Sequence, residues 1–214
     1  MQTQIAEEAK TESLPTGGKA VKENSKSRDL KQINADRIVL SAIVLMRKKG
    51  YHKTTLEDIS EDICLSVDEI TNCFKSKDDI CLKVIELHNS RLTEILEKTE
   101  EQSNPRQRLS CLIDSLIDEA DELVQYGCPI TRLYLDLKNE SPAALEKAAR
   151  KLVSRRLEWV TEQFHHMSFV DDAPDLATRL AGALYGVTLL SSAAGDEAML
   201  RNQFSQLKSW IRSM

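Results

Sequence analysis

The chain has 214 residues, enough for one large or two small domains, and its 41% hydrophobic content suits a protein with a buried core. No apolar run approaches the ~18 residues that span a bilayer, and the first residues lack the apolar core of a secretory peptide. These features predict a cytoplasmic protein without membrane contact. Because the formal net charge is −5, any attraction to nucleic acid must come from local positive charge or helix N-termini.

Residues 1–30 are polar, mixed in charge and poor in large apolar side chains, which predicts a disordered N-terminal arm. A solvated tail without a function is the favoured interpretation of this arm. The alternative is a contact with DNA through basic side chains of the arm and its junction, which are Lys19, Lys22, Lys26, Arg28 and Lys31.

From residue 31 onward, apolar side chains recur at helical spacing and no period-2 pattern occurs, so the predicted fold class is all-α. A first helix ends at Gly50, and Thr54 or Thr55 caps a second. Ser66, with Glu69 three residues later, forms a capping box for a third helix. These three helices and the start of a fourth make a first domain over residues 31–80.

The remaining residues, 81–214, form a second helical domain. Its breaks are marked by proline and glycine: further helices begin near Pro105, Pro129, Pro142 and Pro174, and after Gly195. The helix that starts at Pro105 continues to Gly127 on one unbroken apolar stripe. About nine helices are predicted in all.

Residues 37–80 resemble the DNA-binding domain of TetR-family transcription regulators. The matching elements are Arg37-Ile38, Ala42, Gly50-Tyr51, Thr54-Thr55, Ile59, Ser66, Phe74 and residues 75–80, in register without a gap. The resemblance implies a three-helix domain with its turn near Cys64-Leu65 and a recognition helix over residues 66–72. It also implies a homodimeric regulator, most often a ligand-responsive repressor, that binds a double-stranded DNA operator and needs no cofactor.

Helix N-termini offer N–H groups to phosphates, and the recognition helix offers side chains to base edges. On that basis the predicted DNA-binding residues are Tyr51, Thr54, Thr55, Ser66, Val67, Asn72, Lys75 and Lys77. Asn72 is the candidate base reader, because an amide can pair with adenine.

The recognition helix departs from the family's pattern. Val67, Asp68 and Glu69 stand where the family commonly has a basic residue, a glycine and a hydroxyl residue. Residues 33–80 hold 7 Lys/Arg and 9 Asp/Glu, a net charge of −2. Carboxylates repel phosphate, so we expect weak DNA binding or an unusual operator. The alternative is a TetR-like protein-interaction module that does not read DNA.

The second domain carries the segment Gly127-Cys128-Pro129-Ile130, which resembles a segment of one TetR subgroup. The resemblance implies an apolar ligand cavity and a dimer built from the last two helices. Residues 175–194 fit this role, because they are apolar nearly all round from Leu180 onward. A stripe on residues 196–213 (Leu200, Phe204, Leu207 and Ile211) is predicted to join the same interface. A helix that is merely central within one subunit is the alternative.

For a small apolar ligand, the candidate contacts are His88, Cys111, Leu112, Leu116, Tyr134, Trp159 and Tyr185, each of which could instead fill the core. Cys128 starts a helix and is a candidate thiol sensor, with structural burial as the alternative. The five cysteines include no CxxC pair and no histidine at metal spacing, so we predict free thiols and no metal site. The sequence has no recognisable nucleophile–base pair and no glycine-rich phosphate-binding loop, so it does not predict an enzyme.

Overall fold

A computed structural model describes residues 18–139, 142–169 and 171–214, with side chains from Leu30 onward. All regular structure in these ranges is helical, which confirms the predicted all-α class. The helices are α1 (Gly18–Lys49), α2 (Leu56–Ile63), α3 (Val67–Cys73), α4 (Lys77–Glu100), α5 (Pro105–Asp118), α6 (Ala120–Tyr126), α7 (Pro129–Leu137), α8 (Ala143–His166), α9 (Ala173–Ala194) and α10 (Glu197–Ser213).

The predicted helix starts in the first domain are confirmed. Thr55, Ser66 and Ser76 are the N-caps of α2, α3 and α4, and each side chain accepts a hydrogen bond from the backbone N–H three residues later. At the other end of α1, Gly50 has a φ of +86°, a left-handed conformation that glycine adopts without strain. Local sequence therefore fixes where these helices begin and end.

Two predicted boundaries are wrong. α1 begins at Gly18, so residues 18–30 of the predicted disordered arm are helical, whereas residues 1–17 lie outside the described part. Residues 19–30 contain no glycine or proline, and a scarcity of apolar side chains limits burial without breaking a helix. The helix predicted from Pro105 to Gly127 is two helices, because Glu119 leaves the helical conformation at φ −100° and ψ 19°. No breaker residue marks that bend.

The two domains share α4, because the predicted boundary between residues 80 and 81 falls inside this helix. α4 packs against α1 on one side and against α5 and α8 on the other. The second domain is built around α8, which also contacts α7 and α9, while α10 packs on α5, α6 and α9. Phe164 of α8 and Phe204 of α10 are fully buried in this core.

The apolar stripe of α10 lies inside the subunit. Leu200, Phe204 and Ile211 are fully buried within a single chain. These three side chains therefore cannot form a dimer contact, whereas Leu207, the fourth member of the predicted stripe, is half-buried, and a part for α10 in a dimer stays a prediction. An amphipathic pattern shows that one face is covered but not which chain covers it. No helix among the described residues combines the length and the apolarity needed to cross a membrane.

Candidate DNA interface and ligand cavities

A tight turn joins α2 to α3, where the sequence predicts it. Cys64 ends α2 in the left-handed conformation, with φ 54° and ψ 43°. The Leu65 N–H donates to the Ser60 carbonyl at 3.2 Å, and the Ser60 hydroxyl donates to the Leu65 carbonyl at 2.5 Å. Ile59 of α2 and Ile70 of α3 are fully buried in the core that α1 completes. One face of α3 is thus held against its neighbours, and the other is left to solvent.

The solvent face of α3 carries polar and acidic side chains. Ser66, Asp68, Glu69, Thr71 and Asn72 are exposed. The Ser66 N–H and hydroxyl both donate to Glu69 Oε2 at 2.8 Å, and these bonds hold the pKa of Glu69 below its usual value. The carboxylate of Glu69 is therefore committed to capping its own helix. Asp68 has no ion pair within the described residues, so it is the carboxylate available to meet a partner.

Three of the predicted phosphate contacts are engaged inside the domain. Thr54 is fully buried, and its hydroxyl donates to the Gly50 carbonyl at 2.8 Å. Tyr51 is buried and donates its hydroxyl to Asp78, and both burial and Asp78 raise the pKa of the phenol. Lys77 Nζ lies 4.3 Å from the centre of the Tyr51 ring and donates to the Tyr51 carbonyl at 3.1 Å.

In this conformation Thr54 cannot reach a phosphate, so its prediction as a DNA contact is wrong. The sequence placed a hydroxyl at a helix start, but the left-handed turn at Gly50 directs that hydroxyl inward. Thr55, Ser66, Asn72 and Lys75 are exposed, as a DNA contact requires, and Val67 is half-buried.

Two carboxylates of the first domain have partners inside the domain. Asp58 accepts from the Thr55 N–H at 2.8 Å and pairs with Lys49 at 2.5 Å. Lys49 and Thr55 together lower the pKa of Asp58 to about 2. Asp62 accepts from the Ser41 hydroxyl at 2.6 Å.

Some basic side chains of this domain, in contrast, stay available. Lys48, Lys53 and Lys75 are exposed and have no ion pair among the described residues. These three side chains could therefore meet a phosphate, although the net charge of −2 over residues 33–80 is unchanged by the internal pairs.

A contact from α7 fixes the turn between α1 and α2. Asp136 Oδ2 accepts from the Tyr51 N–H at 3.1 Å, and His52 Nε2 lies 2.6 Å from the Asp136 carbonyl oxygen. A Cβ atom at Gly50 would lie only 2.8 Å from Asp136 Oδ2. Gly50 therefore meets two demands, a positive φ and a close approach. The second domain holds the first at this point.

We expect Gly50→Ala to lower the free energy of unfolding by about 1–3 kcal/mol, because alanine is strained at positive φ and would also crowd Asp136. Denaturant unfolding measures this loss. Gly195→Ala is the matched control, since Gly195 also ends a helix at positive φ but its Cβ would meet no atom within 4 Å. Equal losses in the two variants would show that the contact with Asp136 contributes nothing.

Between the two domains lies a cavity of about 220 Å³. His88 and Leu116, both predicted ligand contacts, line it. Leu112 and Tyr185 line an adjoining apolar pocket of about 20 Å³. Cys111, Tyr134 and Trp159 line neither, and Trp159 is buried in the core. Burial, and the arginines nearby, lower the pKa of His88 to about 4, so its imidazole is neutral at pH 7.

Sequence reasoning missed the arginines of this cavity: Arg47, Arg91 and Arg156. The sequence pattern could have indicated Arg156, because it stands at helical spacing between Leu152 and Val160, both of which are buried. A charged residue at helical spacing between two core residues is unusual, since arginine is rarely buried without a partner.

Cys128 is the N-cap of α7 and is buried at the wall shared by the cavity and the apolar pocket. Arg156 Nη1 lies 3.9 Å from its sulfur. We expect Cys128 to be alkylated faster than Cys81, because the cavity gives a reagent access to the Cys128 sulfur. Cys81 is fully buried in the core, and burial raises the pKa of its thiol. Mass spectrometry of timed alkylation measures both rates, and equal rates would end the thiol-sensor hypothesis.

No group of three or more His, Cys, Asp or Glu in the described ranges could hold a metal ion.

Comparison with known proteins agrees with this architecture. No protein-family model matches the chain. An uncharacterized HTH-type transcriptional regulator of Lactococcus lactis subsp. lactis is 26% identical over 186 residues, which cover 81% of this chain and 91% of that protein. A TetR-family transcriptional regulator from Agrobacterium tumefaciens matches with a TM-score of 0.76 at 19% identity, over 84% of this chain and 97% of the other.

A TetR transcriptional regulator from Chloroflexus aurantiacus gives a TM-score of 0.75 at 19% identity, over 86% of this chain and 96% of the other. The likeness therefore extends over most of the chain. The chain has the all-helical fold of the TetR-family transcriptional regulators.

Proposed function

We propose that this protein is a TetR-family regulator that binds double-stranded DNA as a homodimer in the cytoplasm. The observation that carries the proposal is α3, whose inner face is buried against α1 and α2 while Asn72 and its polar neighbours are exposed. A helix presented in this way can lie in a major groove about 12 Å wide. The HTH-type name of the relative from Lactococcus supports the same function.

The homodimer is supported by an uncovered face of α9. Leu189 and Leu190 are 69% and 57% exposed, and Gly182 and Gly186 lie at helical spacing before them. Small residues beside exposed leucines let a second helix approach closely and bury apolar surface. An operator with two half-sites requires such a twofold pair.

A ligand-responsive repressor is the form of regulation we propose, because a cavity lies between the DNA-binding unit and the second domain. The competing function is a protein-interaction module that no longer reads DNA. Asp68 favours this competitor, since it places a free carboxylate on the solvent face of α3. The two functions differ in how binding responds to salt.

The deciding experiment selects binding sites from genomic fragments with purified protein and then titrates the selected site at several salt concentrations. For a DNA-binding dimer, log affinity should fall with log salt with a slope of about −0.9 for each neutralised phosphate. Asn72→Ala should weaken the selected site by about 1–3 kcal/mol if Asn72 reads a base. Gln107→Ala, at an exposed position on α5, is the control. Failure to retain any DNA at low salt would favour the interaction module.

A further inference from the structure

The cavity between the domains combines cationic groups with an apolar wall. Arg47 comes from α1, His88 and Arg91 from α4, and Arg156 from α8. The apolar lining includes Ile43, Leu92, Ile95, Leu116, Leu123 and Ile130. The cavity measures about 220 Å³, and a dry engineered cavity of about 150 Å³ is known to bind benzene. A ligand with a single ring therefore fits.

Two of these arginines have buried nitrogen atoms with no hydrogen-bond partner among the described residues. They are Nε of Arg156 and both Nε and Nη2 of Arg47. The partners beside Arg156 are the Cys128 sulfur, 3.9 Å from Nη1, and the Tyr185 hydroxyl, and Cζ of Arg47 lies 5.7 Å from the centre of the Tyr126 ring. Each of these binds a guanidinium less strongly than a carboxylate does. Burying a guanidinium is costly unless an anion or other acceptors compensate. Among the described residues, no carboxylate pairs with Arg156, and only Nη1 of Arg47 has one.

The acidic residues of the cavity do not supply a partner for Arg156. Glu122 pairs with Nη1 of Arg47, and Glu119 lines the same wall, but both are exposed at the mouth. The lining thus holds three guanidinium groups and two carboxylates. His88 adds no charge at pH 7 and can donate or accept one hydrogen bond. A net positive charge remains, and it is concentrated at the buried end on Arg156.

We propose that this cavity is an effector site for a small organic carboxylate whose apolar body is about the size of one aromatic ring. The carboxylate accepts hydrogen bonds from Arg156 and Arg47, and the ring packs against Leu116 and Leu123. The neighbouring apolar pocket shares Leu116, Leu123 and Arg156 with the cavity, so a longer body extends toward α9. This inference rests on the proposed function, because it names the chemical class of the effector.

The last turn of α1 and the first turn of α7 both reach this cavity, and each connects the DNA-binding unit to the second domain. Arg47 lies in the last turn of α1 and is held by Glu122 of α6. α7 begins at the cavity with Pro129 and Ile130 and ends near Asp136, which bonds to the turn after α1. A bound carboxylate competes with Glu122 for Arg47 and alters the support of α7. Ligand and DNA affinities are then linked reciprocally.

Calorimetric titration of the full-length protein, without DNA and at constant ionic strength, tests the site. The probes are benzoate, its neutral analogue benzamide, and acetate, which lacks the ring. Benzoate should bind at least tenfold more tightly than either. Arg156→Gln should weaken benzoate binding at least tenfold, and Arg91→Gln, at the exposed mouth, about threefold. Lys151→Gln, on the exposed face of the same helix as Arg156, should leave the affinity unchanged.

Equal binding of benzoate and benzamide would overturn the anionic character of the site. An unchanged benzoate affinity in Arg156→Gln would overturn its location; if that variant does not fold, an unchanged affinity in Arg91→Gln does the same. No binding of benzoate at about 10 mM, tenfold above a millimolar Kd, would overturn the proposal entirely. Since no DNA is present, these outcomes are independent of whether the protein binds an operator.

Discussion

Replacing Gly186 with glutamate should convert the protein from a dimer into a monomer at micromolar concentration. A Cβ atom at Gly186 meets nothing within 4 Å in one subunit, so the isolated chain accommodates the new side chain. In a symmetric dimer the same change occurs twice on one patch, next to the exposed Leu189 and Leu190. Burying two unpaired carboxylates at a close helix contact is costly in free energy, because nothing compensates their lost hydration. This cost should outweigh the apolar burial that stabilises the dimer. Sedimentation velocity measures the loss.

Ser90→Glu is the control, because it adds the same charge to an exposed position on α4 and should leave the dimer intact. Circular dichroism should show equal helix content in the wild type and both variants. A wild-type protein that sediments as a monomer would defeat the dimer proposal. A Gly186→Glu variant that stays dimeric would move the interface away from this face of α9.

The double substitution Val67→Lys and Asp68→Gly should strengthen nonspecific DNA binding. It adds two units of positive charge at the start of α3, where Asp68 has no ion pair among the described residues and Val67 is only half-buried. The slope of log affinity against log salt should steepen by up to about one unit. The capping bonds between Ser66 and Glu69 are untouched, so α3 keeps its N-terminus.

The same variant gives the opposite result on a selected operator if Asp68 accepts a hydrogen bond from a cytosine, because that loss costs about 1–3 kcal/mol. One titration against nonspecific and selected DNA therefore separates repulsion from base reading. Glu94→Lys, which changes the net charge equally on the exposed face of α4, controls for total charge. If neither the wild type nor the variant binds DNA at low salt, the regulator proposal fails.

Between Gly50 and Ser76 the sequence predicted the helix ends accurately, because each of these ends depends on a local residue. Ser66 and Glu69 are three positions apart, and a glycine such as Gly50 adopts the positive φ of a helix end without strain. The bend at Glu119 was not predictable in this way, because Leu116, Ala120 and Leu123 continue one apolar stripe across it. The spacing of apolar residues indicates which face of a helix is buried. It does not show that a single residue, here Glu119, departs from the helical conformation.

The candidate sites were predicted less completely, because side-chain direction and partners depend on distant residues. The sequence predicted an exposed hydroxyl at Thr54, whereas in the structure this hydroxyl donates to the Gly50 carbonyl. Arg47 and Arg156 are 109 positions apart in the chain, and nothing local shows that both line one cavity. The stripe on α10 predicted a covered face correctly, but its cover is the chain's own core. Long-range packing decides all three cases.

The bond from Asp136 to the backbone of Tyr51, together with α4 running through both domains, has a consequence for thermal unfolding. A unit joined to its neighbour by a shared helix and by hydrogen bonds at the turn after α1 is not expected to unfold separately. We expect a single calorimetric unfolding transition for the whole chain. Its van't Hoff enthalpy should equal its calorimetric enthalpy per subunit, as two-state unfolding requires. Asp136→Ala should split that transition by letting residues 31–80 melt first. The proposed division of labour between the two domains is therefore compatible with a single cooperative folding unit.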